Sequence, residues 1–212
     1  MADGLRLDTL EIRLGGRVMV ALDAHVAPGE VLTVMGPSGS GKSTLLAAIT
    51  GALDPAFALS GRILLDGEDV TALPTERRRI GILFQDELLF PHLSVGGNLA
   101  FGLPPSLRGR AARRARIERA LQEIGLEGFA RRDPATLSGG QKARVALMRT
   151  LLAEPRALLL DEPFSRLDAA RRGQVRELVF ARAKAQRLPV LLVTHDREDA
   201  AASGGAVIEL DA

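Results

Sequence analysis

The sequence predicts an α/β fold: a largely parallel sheet covered by helices, preceded by antiparallel strands and interrupted by a helical insertion. Three observations lead there. Short apolar runs recur at 31–35, 63–65, 80–84, 158–160, 190–193 and 207–210, each bounded by Gly, Pro or Asp and of strand length. A Gly-rich turn follows the first of these runs and opens a segment of helical period over 42–52. Residues 86–155 carry no strand-like run and show helical spacing instead.

Within residues 1–35, apolar and polar residues alternate in short stretches (Leu5 and Leu7; Val18, Val20 and Leu22), as antiparallel strands with one buried face do. In the middle region Ile117, Leu121 and Ile124 share one helical face, with Arg110, Arg113 and Arg114 pointing elsewhere. Pro104-Pro105 and Asp133-Pro134 break the chain on either side of that helix. The expected organisation is one domain over 1–212. Residues 1–85 and 156–212 form the α/β core with its β subdomain, and 86–155 form the inserted helical subdomain.

Composition narrows the function. The 212 residues are 46% hydrophobic and 25% charged, as in a globular protein. A net charge of +2, with many Arg and few Lys, gives no reason to expect nucleic acid as a partner. With no Cys there is neither a disulfide framework nor a thiolate metal site. The first residues lack the basic-then-apolar pattern of a signal peptide, and no apolar run approaches the roughly 18 residues that span a bilayer. Any work at a membrane is therefore expected to go through a partner. The Arg-rich stretch 108–119 is expected to be a solvated helix face, with contact to lipid headgroups or to an acidic partner as the alternatives.

The strongest single motif is Gly36, Pro37, Ser38, Gly39, Ser40, Gly41, Lys42, Ser43, which fits G-x-x-x-x-G-K-[ST] between a strand and a helix. Backbone N–H groups must wrap phosphate oxygens, and side chains at Gly39 and Gly41 would obstruct them. The helix that starts near Lys42 turns its positive dipole end and free N–H groups toward the anion. Lys42 adds a point charge at the β- and γ-phosphates, the Ser43 hydroxyl suits Mg²⁺, and Thr44 offers a further hydrogen bond. A nucleoside triphosphate with Mg²⁺ is the expected ligand.

Two further motifs narrow the chemistry. The apolar run 157–160 ends in Asp161 and Glu162, adjacent acids that repel unless a cation or substrate sits there. Asp161 suits a Mg²⁺ ligand and Glu162 a base that polarises the attacking water. The stretch Leu137, Ser138, Gly139, Gly140, Gln141 places an N-capping serine and two small residues before an apolar helix, a second helix start built to meet an anion. Two such starts about a hundred residues apart in one chain point to a nucleotide clamped between two copies.

Together these residues resemble the ABC (ATP-binding cassette) ATPase family, with LSGGQ as its signature motif. Gln85 after an apolar run, Asp168 in the segment after Glu162, and His195 after 190–194 complete the resemblance in order and spacing. It covers essentially the whole chain and implies a P-loop NTPase core of RecA-like, ABC type. It also implies a head-to-tail dimer in which the phosphate loop of one copy and Ser138, Gly139, Gly140 and Gln141 of the other enclose ATP. By the same resemblance His195 contacts the γ-phosphate and orients Glu162, Gln85 lies near Mg²⁺ and the water, and Asp168 faces the other copy. Leu88, Leu89 and Phe90 then border a groove for a membrane permease, with core packing the equal alternative for Leu88 and Leu89.

The implied activity is ATP hydrolysis driving import at the cytoplasmic face of the inner membrane, with an extracytoplasmic binding protein reached through the complex. A soluble ABC-type ATPase acting on nucleic acid or ribosomes is the competing reading; such proteins carry tandem cassettes or long coiled-coil insertions, and this chain has neither. Two departures stand out. The family stacks an aromatic ring on adenine from about two dozen positions before the phosphate loop, but Tyr and Trp are absent and that region offers only Arg13 and Leu14; the Arg13 guanidinium plane, which can stack on a base, is the substitute. Arg166 stands where small residues are common, and an extra contact across the dimer is expected of it. The C-terminal regulatory domain of sugar-importer ATPases is not expected.

Overall fold

A computed structural model describes residues 3–210, with the side chains of Ala169 and Ala170 left aside. Residues 1, 2, 211 and 212 of the expected 1–212 domain lie outside the described residues. The chain forms two compact units. One holds the residues through Ile82, Arg156–Glu162 and the residues from Phe180 on; the other holds Leu83–Pro155 and Pro163–Val179.

The first unit contains both sheets. β1 (Leu5–Leu14) pairs antiparallel with β2 (Arg17–Val26) on one side and with β4 (Phe57–Leu65) on the other, and β5 (Glu68–Asp69) extends this sheet beyond β4. The buried side chains of β1 change phase, from Leu5 and Leu7 to Leu10 and Ile12. The cause is a slip in register between Leu7 and Leu10, since one extra residue moves every later side chain to the opposite face. A second slip between Ile12 and Arg13 leaves Val18 39% exposed while Val20 and Leu22 are buried. The unbroken alternation read through Val18, Val20 and Leu22 is thus corrected. So is the run 63–65: it pairs with Leu7, Arg6 and Leu5 of β1 and belongs to the antiparallel sheet.

The second sheet has the order β6-β7-β8-β3-β9, built from β3 (Val31–Met35), β6 (Ile80–Leu83), β7 (Ala157–Asp161), β8 (Val190–Thr194) and β9 (Ala206–Glu209). β3 runs parallel to β8 and β9, and β7 parallel to β8. Every residue of β8 is buried, and so are the first four of β7, which is why both read as continuous apolar runs. Helix α1 (Lys42–Thr50) stops at Gly51, whose left-handed backbone turns its N–H back onto the Ala47 and Ala48 carbonyls. The buried guanidinium of Arg78, the last residue of α2 (Thr75–Arg78), donates to Ala48 O at 2.7 Å and Ile49 O at 2.9 Å. The helix expected over 42–52 is shorter by those last residues. α7 (Arg197–Ser203) begins under the Asp196 side chain, which accepts from Glu198 N and Asp199 N.

The second unit is helical among its described residues. α3 (Val95–Gly102), α4 (Arg110–Glu123) and α5 (Gly139–Leu152) share a core of Leu99, Leu121, Ile124, Val145, Met148 and Leu152. A Cβ on Gly102 would stand 2.1 Å from the Arg149 carbonyl oxygen, so α3 can lie this close to α5 only with glycine there. Arg113, expected to point away from the core, folds back to donate to Ala100 O at 2.9 Å and Leu107 O at 3.2 Å, tying down the end of α3. α6 (Ala169–Ala185) follows β7 in sequence.

Candidate nucleotide site

Register assembles the site in the first unit. In the parallel sheet Met35 is level with Thr194, and Val193 with Asp161. The next residues, Gly36, His195 and Glu162, therefore leave the sheet at one edge, on adjacent strands about 4.8 Å apart. Glu162 N still donates to Val193 O at 2.9 Å, although its backbone has turned left-handed with φ 44. Side chains other than glycine adopt that conformation uncommonly, and such residues cluster at functional sites. The turn brings Glu162 Oε1 to 3.0 Å from His195 Nδ1. The imidazole is mostly exposed and the carboxylate mostly covered.

The loop after β3 encloses a cation. Lys42 is buried, and its Nζ donates to Gly36 O and Pro37 O, both at 2.7 Å. Pro37, Ser38 and Gly39 are exposed around it. α1 opens at Gly41 with no side-chain cap, whereas Ser94, Ser138 and Asp196 cap α3, α5 and α7. Its first N–H groups are thus left for an anion. Gly41 has φ 88, and a Cβ there would lie 2.4 Å from Val20 Cγ2 and 3.1 Å from Met19 O, so only glycine lets the loop pack against β2. Ser40 Oγ is buried and has no hydrogen-bond partner among the described residues. Ser43 is exposed and Thr44 half-buried on the first turn. A cleft of about 430 Å³ beside the loop is lined by Gly36, Pro37, His195, Arg197 and Glu209.

Asp161 is held above the usual carboxylate range. Burial is the largest cause and the neighbouring Glu162 charge adds to it, while Lys42 works in the opposite sense. Arg13 lies near the end of β1 opposite Val18, with Nε 2.6 Å from Glu11 Oε1 and Nη1 3.0 Å from Gly16 O.

The remaining expected residues sit in the second unit. Ser138 and Gln141 form a reciprocal capping box: Ser138 Oγ accepts from Gln141 N at 3.4 Å, and Gln141 Oε1 accepts from Ser138 N at 2.9 Å. Gly139 and Gly140 make up the first turn, and a Cβ on Gly140 would touch Arg171 Cδ at 3.4 Å. Asp168 Oδ1 accepts from Arg171 N at 3.1 Å, and its carboxylate pairs with the Arg171 guanidinium. Arg166 pairs with Asp86, the neighbour of the exposed Gln85. In this structure, then, an intrachain partner occupies the arginine that was expected to reach across a dimer. Leu88, 55% exposed with φ 44, lines a groove of about 360 Å³ with Leu89, Pro91, Pro134, Ala135 and Lys142.

The sequence reading missed one network. Arg149 on α5 donates to Leu88 O at 2.9 Å, to Asn98 Oδ1 at 3.3 Å and to Glu87 O at 3.4 Å, with its guanidinium 5.0 Å from the Phe90 ring centre. Asn98 is fully buried, accepts from Phe90 N and donates to Phe90 O. The available signal was polarity in the wrong place: an Asn and an Arg on helical faces that are otherwise apolar.

The profile of the family described as ABC transporter matches residues 20–165. The chain belongs to the ABC transporter family. It is 51% identical, over 90% of its length and 88% of the relative's, to the ABC transporter ATP-binding protein YnjD of Escherichia coli (strain K12). It is 48% identical to the thiamine import ATP-binding protein ThiQ of Cereibacter sphaeroides, over 92% of this chain and 83% of that one. The Fe(3+) ions import ATP-binding protein FbpC of Streptomyces coelicolor is 47% identical over 96% of this chain, which spans 58% of that longer relative. As an ABC transporter ATPase the chain binds ATP and hydrolyses it in the service of transport. Its α/β fold with a P-loop core is the one the sequence predicted.

Proposed function

We propose that this ABC transporter subunit energises import through a separate membrane permease, two copies clamping Mg²⁺-ATP head to tail between them. The observation that carries the hydrolytic part is the Glu162–His195 pair, 3.0 Å apart at the sheet edge from which the uncapped phosphate loop also springs. Gly36 through Gly41 and Thr44 cradle the phosphates, with Lys42 as the fixed counter-charge. Glu162 takes a proton from the attacking water, and His195 fixes the carboxylate and reaches the γ-phosphate. In the partner copy, Ser138, Gly139, Gly140 and Gln141 close over the same phosphates and exclude bulk water, and Asp168 lines that interface.

Mg²⁺ fits the residues present. Asp161 is an acid raised by burial and by a neighbouring acid, a cost that a divalent cation relieves, and the exposed Ser43 hydroxyl stands on the helix turn it would share. Among the described residues no group of three His, Asp or Glu side chains forms a cage of its own. That suits a metal which arrives with phosphates and keeps much of its water. By the family resemblance Gln85 would offer its side-chain amide oxygen to the same cation. Arg13, steadied by Glu11 and Gly16, offers its plane to the base in place of an aromatic ring.

The import direction is supported by what the relatives' names say of them. The permease is received in the groove beside Leu88 and Leu89, which holds the chain at the cytoplasmic face of the membrane, and an extracytoplasmic binding protein delivers the cargo. Membranes solubilised in detergent test the assembly: the tagged chain is expected to bring down a polytopic permease, and recovery of ribosomes or DNA instead refutes it. Lys42→Ala is expected to abolish ATP turnover by the purified chain; unchanged turnover overturns the site.

A further inference from the structure

We propose that the arginine-lined cleft beside α4 is a docking surface for anionic phospholipid headgroups. The cleft, about 580 Å³, is lined by Arg110, Arg113, Arg114 and Arg131, with Glu118 as its one acid. Arg113 is occupied by the Ala100 and Leu107 carbonyls. The side chains of Arg110, Arg114 and Arg131 have no hydrogen bond or ion pair among the described residues. The segment 108–132 carries eight arginines against three glutamates, a net +5, while the whole chain is only +2 and the remainder therefore −3. Charge is thus concentrated here rather than spread.

A second observation points to a bilayer. Phe101 is 70% exposed, next to the Ala100 carbonyl that Arg113 holds. One side of the ring packs on Phe90, with centroids 4.7 Å apart, and the rest is left to solvent. An exposed ring on the same helical unit as a guanidinium cluster suits the headgroup level, where the ring meets the acyl boundary and each guanidinium forks onto a phosphodiester. An ATPase of a membrane transporter works beside such a surface, and among the described residues no helix is long and apolar enough to cross a membrane. The lipid contact adds a peripheral hold to that of the permease groove.

Co-sedimentation of the purified full chain with phosphatidylcholine vesicles, with and without phosphatidylglycerol, tests this. The expected result is salt-sensitive binding to the anionic vesicles only. Each arginine contributes about fivefold, so Arg110→Ala, Arg114→Ala and Arg131→Ala together lower binding on the order of a hundredfold. Basal ATPase and circular dichroism stay unchanged, since the three side chains support neither the fold nor the nucleotide site. A variant losing the same charge elsewhere, at Arg77, Lys184 and Arg187, keeps binding. Failure of the wild type to bind anionic vesicles overturns the proposal, as does an equal loss in both variants. It is overturned equally if the first variant binds vesicles normally and loses only the permease, which would assign the cleft to an acidic protein segment.

Discussion

Arg149→Ala removes a strut from under the proposed permease groove, and its cost can be worked bond by bond. The 2.9 Å bond to Leu88 O comes from a charged donor, worth about 1.5–3 kcal/mol. The bonds to Asn98 Oδ1 and Glu87 O are long, at 3.3 and 3.4 Å, and add roughly 0.5 kcal/mol each. Stacking over Phe90 contributes about 0.5–1 kcal/mol. Against this, burial holds the guanidinium below its ordinary pKa, a desolvation cost that the substitution removes. Asn98 Oδ1 also keeps its 2.8 Å bond from Phe90 N, so no buried acceptor is orphaned there. The net loss is about 2 kcal/mol, a fall of roughly 4–8 °C in Tm for a chain of this size. Differential scanning calorimetry reads it. Arg149→Lys keeps the charge but not the fork, and is expected to recover about half. Permease-stimulated ATPase should fall more than basal ATPase, because the strut ends on Glu87 and Leu88 rather than on the phosphate loop. A Tm within about 1 °C of wild type would refute the assignment of the network.

Two other substitutions bear on the site. Asp161→Asn is expected to raise the Tm of the nucleotide-free chain while abolishing Mg²⁺-dependent turnover. A carboxyl raised in the native state costs stability once pH rises from its unfolded value of 3.8 through the native one, and this loss should vanish from a pH series on the variant; a lowered Tm contradicts the sign. Gly41→Ala forces a side chain into a backbone with φ 88 and into Val20 Cγ2 at 2.4 Å, so ATP affinity by isothermal titration should fall at least tenfold, about 1.4 kcal/mol or more. An unchanged affinity would mean that the loop does not need its contact with β2.

Much of this was legible in the sequence because chemistry and periodicity coincided. β7 and β8 are buried on both faces and so read as unbroken apolar runs. Parallel register then delivers Asp161, Glu162 and His195 to the edge where the phosphate loop begins, so motif order alone carried the candidate site. What stayed hidden depended on tertiary partners. A bulge leaves no mark on an alternating stretch, so Val18 read as core. Lone polar residues on apolar helices, Asn98 and Arg149, gain meaning only from the carbonyls they meet, and Arg166 only from Asp86. The 63–65 run was short enough to suit either sheet, and its partner on β1 decided between them.

Sedimentation of Glu162→Gln with and without Mg²⁺-ATP bears most directly on the shared pocket. With hydrolysis blocked, the chain is expected to move from monomer to dimer when nucleotide is added, and Ser138→Arg in the same background should return it to monomer. A folded Glu162→Gln chain that binds ATP and still sediments as a monomer at every concentration would contradict the account.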